Sequence, residues 1–302
     1  MALTIAVMGQ APAIGVRGSA AWGRWMTHSW SSPVALAADP DVVATQTDSL
    51  LVLVPTAGAA AARIAASTVA AVRPDIRVRV EVVAAPLAPL VRAVELAPHT
   101  VTYANAIHEG VLDNLRRSVW GAWMPSVAGL ERPTPSLGQH VASWVARRGG
   151  FLALVGEPGH VVRLPAAHVD PSWRLPRVEA AASGETYDCQ VFGDFPEDAI
   201  KTLFEIGVSS RPVRREGFGD AKAAWGSAKA VDFVVSPASL ASADGTRLGR
   251  PAGRCPACGE PVWASHCPFC RVAHVGRAAR PTTTATTATA ATAGATTVGD
   301  AA

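Results

Sequence analysis

Four of the five cysteines in this 302-residue chain fall in one short stretch, CPACGEPVWASHCPFC, as two Cys-x-x-Cys pairs: Cys255 with Cys258, and Cys267 with Cys270. A Cys-x-x-Cys turn lets two sulfurs converge on one ion, because the backbone amides of the tight turn point at the same place. Two such turns supply a closed, tetrahedral set of four thiolates, the donor set that suits Zn²⁺. Pro256 and Pro268 follow the first cysteine of each pair and pre-set φ in the turn. Gly259 follows the first pair and can take positive φ. His266 and His274 are surplus to a four-cysteine set and are expected at the surface. A closed set leaves no open coordination position, so it is not expected to hydrolyse anything.

Residues 253–275 resemble the zinc-ribbon group, whose knuckles often read Cys-Pro-x-Cys-Gly. The resemblance implies one Zn²⁺ held by Cys255, Cys258, Cys267 and Cys270. Iron in a rubredoxin-like site would use the same ligands. Two departures leave the hairpin geometry open: Arg271 stands where many ribbons carry Gly, and the loop between the knuckles is short. Metal binding would fold a segment too small to have its own core. The ribbon is expected to be a separate module, so the rest of the chain should survive loss of the metal.

Other constellations carry less. Gly9, Gly15 and Gly18 follow the first apolar run, where an α/β protein could cradle phosphate, and Asp39 lies near the place of a ribose-binding acid. No Gly-x-Gly-x-x-Gly and no Gly-Lys-Ser/Thr is present, so a structural loop competes with a nucleotide site. Pro55-Thr56-Ala57-Gly58 is a strand-to-helix turn with amides that could meet an anion. Trp22, Trp25 and Trp30 crowd into WGRWMTHSW, where helical spacing and core packing are the default. His108, Glu109, Asp113 and His140 are the nearest acid/base candidates, and the polar face of a helix explains the first three. His160 and His168 lie in or near a hairpin. Cys189 reads as a small buried hydrophobe.

These residues must be positioned by α/β elements. Strands are expected at Leu3–Met8, Pro33–Ala37, Ser49–Val54, Ile76–Val83 and Thr100–Ala104. Helices are expected at Gly58–Val72, Leu87–Leu96, Ile107–Trp123 and Leu137–Arg148, the last capped by Ser136. Phe151–Val155 and His160–Leu164 form a hairpin pattern. After a Pro/Ala/Ser-rich stretch at 165–185, strands at Thr186–Phe192 and Val231–Val235 flank helices at Phe195–Ile206 and Ala221–Ala230. The fold class read from this is α/β: a Rossmann-like domain over 1–165, a smaller α/β unit over 186–240 (or part of the same domain), a ribbon over 253–275, and a disordered Thr/Ala tail over 281–302.

Half the residues are apolar, enough for a sizeable core, and the net charge is only +3. Six arginines between Arg247 and Arg280 face the single acid Glu260, so the rest of the chain is slightly acidic. No membrane span or signal peptide is read, no membrane partner is expected, and thiols kept free for metal fit a cytoplasmic protein. The expected function is that of an intracellular binding or assembly protein, a scaffold or adaptor. Its Arg-rich ribbon, with Trp263 and Phe269, would contact a protein or nucleic acid. The alternative is an enzyme on the Rossmann-like core, acting on a nucleotide or phosphorylated ligand. Oligomeric state is not read.

Overall fold

A computed structural model describes residues 2–10, 17–20, 23–29, 31–43, 47–97, 103–145, 149–155, 159–165, 187–208, 210–219, 221–237 and 248–273. Gly15, Trp22, Trp30, His168, Arg247, His274, Arg277, Arg280, most of the expected strand Thr100–Ala104, most of the 165–185 stretch and the 281–302 tail lie outside the described residues.

The N-terminal sheet has five strands: β1 (Ala2–Gly9), β2 (Arg17–Ala20), β3 (Gly23–Ser29), β4 (Thr47–Pro55) and β5 (Arg77–Val83), in the order β2-β3-β1-β4-β5. β1 runs parallel to both β3 and β4, β5 runs parallel to β4, and β2 closes one edge as an antiparallel hairpin with β3. The alternation of side chains along a strand divides the apolar residues between two faces. Leu3, Ile5, Val7, Leu51 and Leu53 point to one side; Ala6, Met8, Leu50, Val52 and Val54 point to the other. The second face is covered by α1 (Ala35–Ala38), α2 (Pro40–Val43) and α3 (Ala59–Val72) through Leu36, Val42, Ala62, Ala65 and Val69. The first is covered by α4 (Leu87–Glu95), nearly all apolar and buried on every turn.

The second sheet has six strands: β6 (Val119–Met124), β7 (Phe151–Val155), β8 (His160–Arg163), β9 (Tyr187–Phe192), β10 (Val213–Arg215) and β11 (Val231–Pro237), in the order β10-β9-β11-β6-β7-β8. The expected 151–164 hairpin is β7 with β8. Because β11 pairs with β6 from before residue 165 on one side and with β9 on the other, the expected division at 165 runs through one sheet, not between two. One face is covered by α7 (Glu197–Glu205), whose Ala199 and Leu203 meet Leu152, Cys189, Phe233 and Val235. The other face meets α4, α5 (Ala104–Arg117) and α8 (Ala221–Trp225). The α/β body is therefore five layers, with α4 and α5 shared between the sheets: Val234 and Phe192 of the second sheet lie in one apolar cluster with Ile5 and Leu53 of the first.

Three expected elements are corrected. Pro33–Ala37 is not a strand but leads into the short helix α1. The described part of the WGRWMTHSW stretch is strand β3, not a helix, and Trp25 is buried beside β1. The helix expected to reach Trp123 ends at Arg117, and Val119–Met124 becomes β6. In both aromatic stretches the helical spacing of Trp and Met is coincidental. Pairing on both flanks rewards the β-favouring Trp, Thr and Val with ladder hydrogen bonds, which outweigh a local preference of well under about 1 kcal/mol per residue.

Gly121 of β6 shows how tightly the second sheet is closed. A Cβ there would strike the carbonyl oxygen of Ala153 and lie 2.7 Å from the Phe233 ring. Overpacking of this kind costs about 1–3 kcal/mol. Gly121→Ala is expected to lower stability by that amount in urea unfolding, with unchanged slope.

Candidate metal centre

The cysteine segment forms two near-identical knuckles. In the first, the Gly259 N–H reaches Cys255 O at 2.8 Å while the Cys255 N–H reaches Glu260 O at 2.9 Å. In the second, the Arg271 N–H reaches Cys267 O at 2.9 Å and the Cys267 N–H reaches Val272 O at 3.0 Å. Gly259 has φ +73° and Arg271 has φ +58°. Arg271 thus takes the left-handed conformation that Gly259 takes in the first knuckle, at a cost of about 1–2 kcal/mol. The two short strands β12 (Gly253–Arg254) and β13 (Pro261–Val262) pair antiparallel and carry the first knuckle.

The four Sγ atoms of Cys255, Cys258, Cys267 and Cys270 all lie within 4.8 Å of one another, an arrangement able to hold a metal ion. Cys258 Sγ and Cys267 Sγ are 3.9 Å apart, far beyond a disulfide bond of about 2.05 Å. Burial opposes ionisation of Cys255, but the N–H groups of Cys258 and Ala257 outweigh it and bring that thiol down to about 7. Cys270 is pushed up to about 12, first by burial and then by Cys258 and Cys267 beside it. Sulfurs crowded this closely need a cation to ionise together.

The knuckles are not a free module. Cys255, Cys267, Val262 and Phe269 belong to the same buried cluster as α4, α5 and the inner face of the first sheet. At its centre is Glu260, buried to 3% exposure. One carboxylate oxygen accepts from Arg77 of β5 at 2.7 Å; the other accepts the backbone N–H of Asn105 at 3.0 Å. Asn105 is in the first turn of α5, a helix with no side-chain cap of its own, so Glu260 meets one of the unpaired amides there and the positive end of the helix dipole. The Asn105 side chain points back: Nδ2 donates to Pro261 O at 3.1 Å and lies 3.5 Å from Cys267 Sγ. Arg77 also donates to Ser49 Oγ at 2.7 Å, and its guanidinium stands 5.7 Å from the Phe269 ring centroid. The expectation of a ribbon independent of the body is therefore corrected: the cysteine segment caps α5 and completes the central core.

Next to this junction sits a second polar group. His108, expected on a solvated helix face, is 3% exposed. Its Nε2 is 3.3 Å from Glu81 Oε2, its Nδ1 is 3.4 Å from Glu109 Oε1, and its ring meets Phe269 edge-on. Burial lowers the His108 pKa, but Glu109 and Glu81 together outweigh burial and raise it. The Glu81 carboxyl is held below its ordinary value by His108 and then Arg79, against burial. Sequence reasoning missed Asn105, Arg77 and the burial of His108 because each meets its partner across a long stretch of chain.

The expected phosphate loop does not assemble among the described residues. Gly9 closes β1 and makes room for Leu87, whose Cδ2 would be 2.6 Å from a Cβ; Gly18 lies in β2 against the indole of Trp25. Asp39 is buried, with Oδ2 3.1 Å from His28 Nε2 and Oδ1 accepting the Asp41 N–H at 2.9 Å. Gly9, Gly18 and Asp39 are thus committed to packing and to local hydrogen bonds. Asp113 pairs with Arg117 at 4.0 Å, and His140 sits half-buried on α6 (Leu137–Val145). Cys189 is buried and its thiol is pushed up to about 12, chiefly by burial and then by Asp188, so it is no nucleophile. Among the described residues no helix is long and apolar enough to cross a membrane.

No family model and no curated protein matches the chain. Solved structures do. A DegV family protein from Corynebacterium glutamicum aligns at 18% identity and TM-score 0.46, over 79% of this chain and 98% of its own. A DegV family protein from Eubacterium eligens, loaded with heptadecanoic acid, aligns at 10% identity and TM-score 0.48, over 78% and 99%. The fatty acid kinase B3 protein of Streptococcus pneumoniae, loaded with linoleic acid, aligns at 10% identity and TM-score 0.47, again over 78% and 99%. The last two of these structures are named for the fatty acids they hold. The expectation of a scaffold or adaptor, and its alternative of an enzyme on a nucleotide, are corrected on this chain's own packing: Phe269 is buried, and the space beside Gly9 and Gly18 is filled by Leu87 and Trp25. Arg254 stays exposed and donates to Gly259 O inside its own knuckle.

Two outcomes follow from the junction. Glu260→Gln leaves Arg77 without its counter-charge and is expected to cost about 3 kcal/mol; Arg77→Met combined with Glu260→Gln should cost less than the two single changes together, measured by urea unfolding in a double-mutant cycle. His108 binds its proton more tightly folded than unfolded, so its stabilisation is complete below the ordinary value of 6.5 and is lost as pH rises through the raised folded value. Unfolding midpoints measured from below pH 6.5 upward should fall across that window, and His108→Gln should flatten the fall.

Proposed function

We propose that Cys255, Cys258, Cys267 and Cys270 hold one structural Zn²⁺, and that the site is a ribbon-type clamp joining the C-terminal knuckles to the two-sheet body. The observation that carries this is the convergence of the four sulfurs within 4.8 Å of one another. A Zn–S bond of about 2.3 Å in a tetrahedron places sulfurs about 3.8 Å apart, and Cys258 Sγ and Cys267 Sγ are 3.9 Å apart. Asn105 Nδ2 is placed to donate to the Cys267 thiolate, the outer-shell support that metal ligands ordinarily receive. The set is closed, so the ion's contribution is to folding. Structural Zn²⁺ contributes about 10–16 kcal/mol in small peptides, comparable with the whole stability of an ordinary domain.

A second reading concerns the body, and one observation favours it. By register, Ser29, Gly9, Pro55 and Val83 end their strands level with one another. The chain passes from β1 through β2 to β3 on one side and then from β3 to β4 on the other side of β1, which makes these ends a switch point, where open α/β sheets take ligands. Thr56 and Ala57 are exposed there, in the 3-10 turn that opens α3, whose first backbone N–H groups have no intrahelical partner and suit a carboxylate. The ligand class to test is a long-chain carboxylic acid, the kind loaded in two of the solved structures named above.

Purified protein is expected to be colourless and to carry one zinc per chain by elemental analysis, and Cys255→Ser/Cys258→Ser should remove it. Equal metal in both proteins would end the clamp reading, and iron colour would replace zinc by iron. Chelation should lower the melting temperature of the whole body in one transition, because ribbon and body share a core. For the second reading, mass spectrometry of solvent extracts should find a fatty acid, and Thr56→Val should weaken rebinding of a fluorescent fatty acid by about tenfold. An unchanged affinity would move the carboxylate elsewhere; no binding at all would remove the reading.

A further inference from the structure

Helix α6 is inside out. Its apolar residues Leu137, Val141, Trp144 and Val145 recur at helical spacing on one face and are 81%, 50%, 79% and 76% exposed. Its polar residues face the body: Gln139 Nε2 donates to Val161 O at 2.6 Å, and Ser143 Oγ is 2.8 Å from Ser126 Oγ. The helix is firmly started, with Ser136 and Gln139 capping each other in a reciprocal pair. No residue of α6 is fully buried. A folded helix that turns Leu, Trp and two Val to water is built to meet another apolar phase.

We propose that this face of α6 lies in the plane of an anionic lipid surface. The charge around it selects that occupant. The helix carries no acid; exposed Arg132, beside exposed Glu131, precedes it, and exposed Arg163 lies two residues beyond Val161, which accepts from Gln139, with no ion pair formed by either arginine among the described residues. In the sequence Arg147 and Arg148 come after Ala146, one residue past the helix end at Val145. An exposed Trp with three exposed aliphatic residues on one helix face, and arginines nearby, make the pattern of a helix lying in a membrane interface. A nine-residue helix is only about 14 Å long, too short to span a bilayer. A second copy of the chain is a poorer occupant. Four such side chains bury about 500 Å² per copy, below the roughly 800 Å² per partner of a stable interface, and a two-fold contact would bring the arginines together.

The test is flotation of the full-length protein with vesicles of phosphatidylcholine alone and of phosphatidylcholine with phosphatidylglycerol. Wild type is expected to float with the anionic vesicles and to partition into them more than about tenfold better than into neutral ones. Leu137→Gln/Trp144→Gln should reduce that partition by more than about tenfold. Arg132→Ala/Arg163→Ala should reduce it and weaken its salt dependence. Unchanged melting temperatures keep folding defects out of the comparison. Absence of flotation by wild type, equal flotation with neutral vesicles, or full flotation by Leu137→Gln/Trp144→Gln would each overturn the proposal. So would sedimentation showing a wild-type dimer that the same double variant dissociates, because the face would then join two copies.

Discussion

A single buried carboxylate holds the parts of this molecule in register. Glu260 reaches from the C-terminal knuckles to Arg77 on the edge strand of the first sheet and to the first turn of α5 between the sheets. A carboxylate at 3% exposure is tolerable only because both of its oxygens are met, one by a cation and one by a helix amide. Remove either partner and the charge is stranded. Position the partners and the chain from residue 248 to 273 has one place to go. The cysteines follow from this: Cys255 and Cys267 are carried into the central core by the same segment that delivers Glu260.

The central layer explains why the body behaves as one object. α4 is apolar except at Arg92 and Glu95 because it has a sheet on both sides. Most surface helices bury one stripe; α4 buries the stripe Leu87, Leu90, Val91 and Val94 and, off it, Ala88, Pro89 and Ala93. The polar exceptions in this layer are spanned by specific pairs. Arg92 reaches Ser236 Oγ at 3.0 Å and Glu95 at 3.3 Å, and Glu95 also holds Arg215 at 2.6 Å, tying α4 to two strands of the second sheet. The sheets are thus joined by apolar burial with a small number of charge-assisted bonds at the margin.

α4 and α6 set opposite rules for reading a helix. In both, the apolar spacing is plain in the sequence. For α4 it leads inward from two directions, and for α6 it leads outward, since Gln139 and Ser143 are the residues that bond to the body. Helical periodicity identifies a face; only the neighbours say whether protein or something else covers it.

By itself the sequence determined the α/β class, most strands and helices of the body, and the four converging cysteines. Those features rest on local properties: alternation over Ile76–Val83, a helix stopped before Pro74, turn-forming Pro and Gly around paired cysteines. Tertiary structure decided what local pattern leaves degenerate. Trp120 and Trp123 fit a helix until β7 and β11 pair with their strand, and Trp25 does so until β1 does. Gly9 and Gly18 suit a phosphate loop until Leu87 and Trp25 fill the space beside them. The junction was out of reach for the same reason. Glu260 meets Arg77 across 183 residues and Asn105 across 155, and no spacing rule operates at that range. Only the folded chain, having already removed its backbone entropy, can bring such groups within hydrogen-bonding distance.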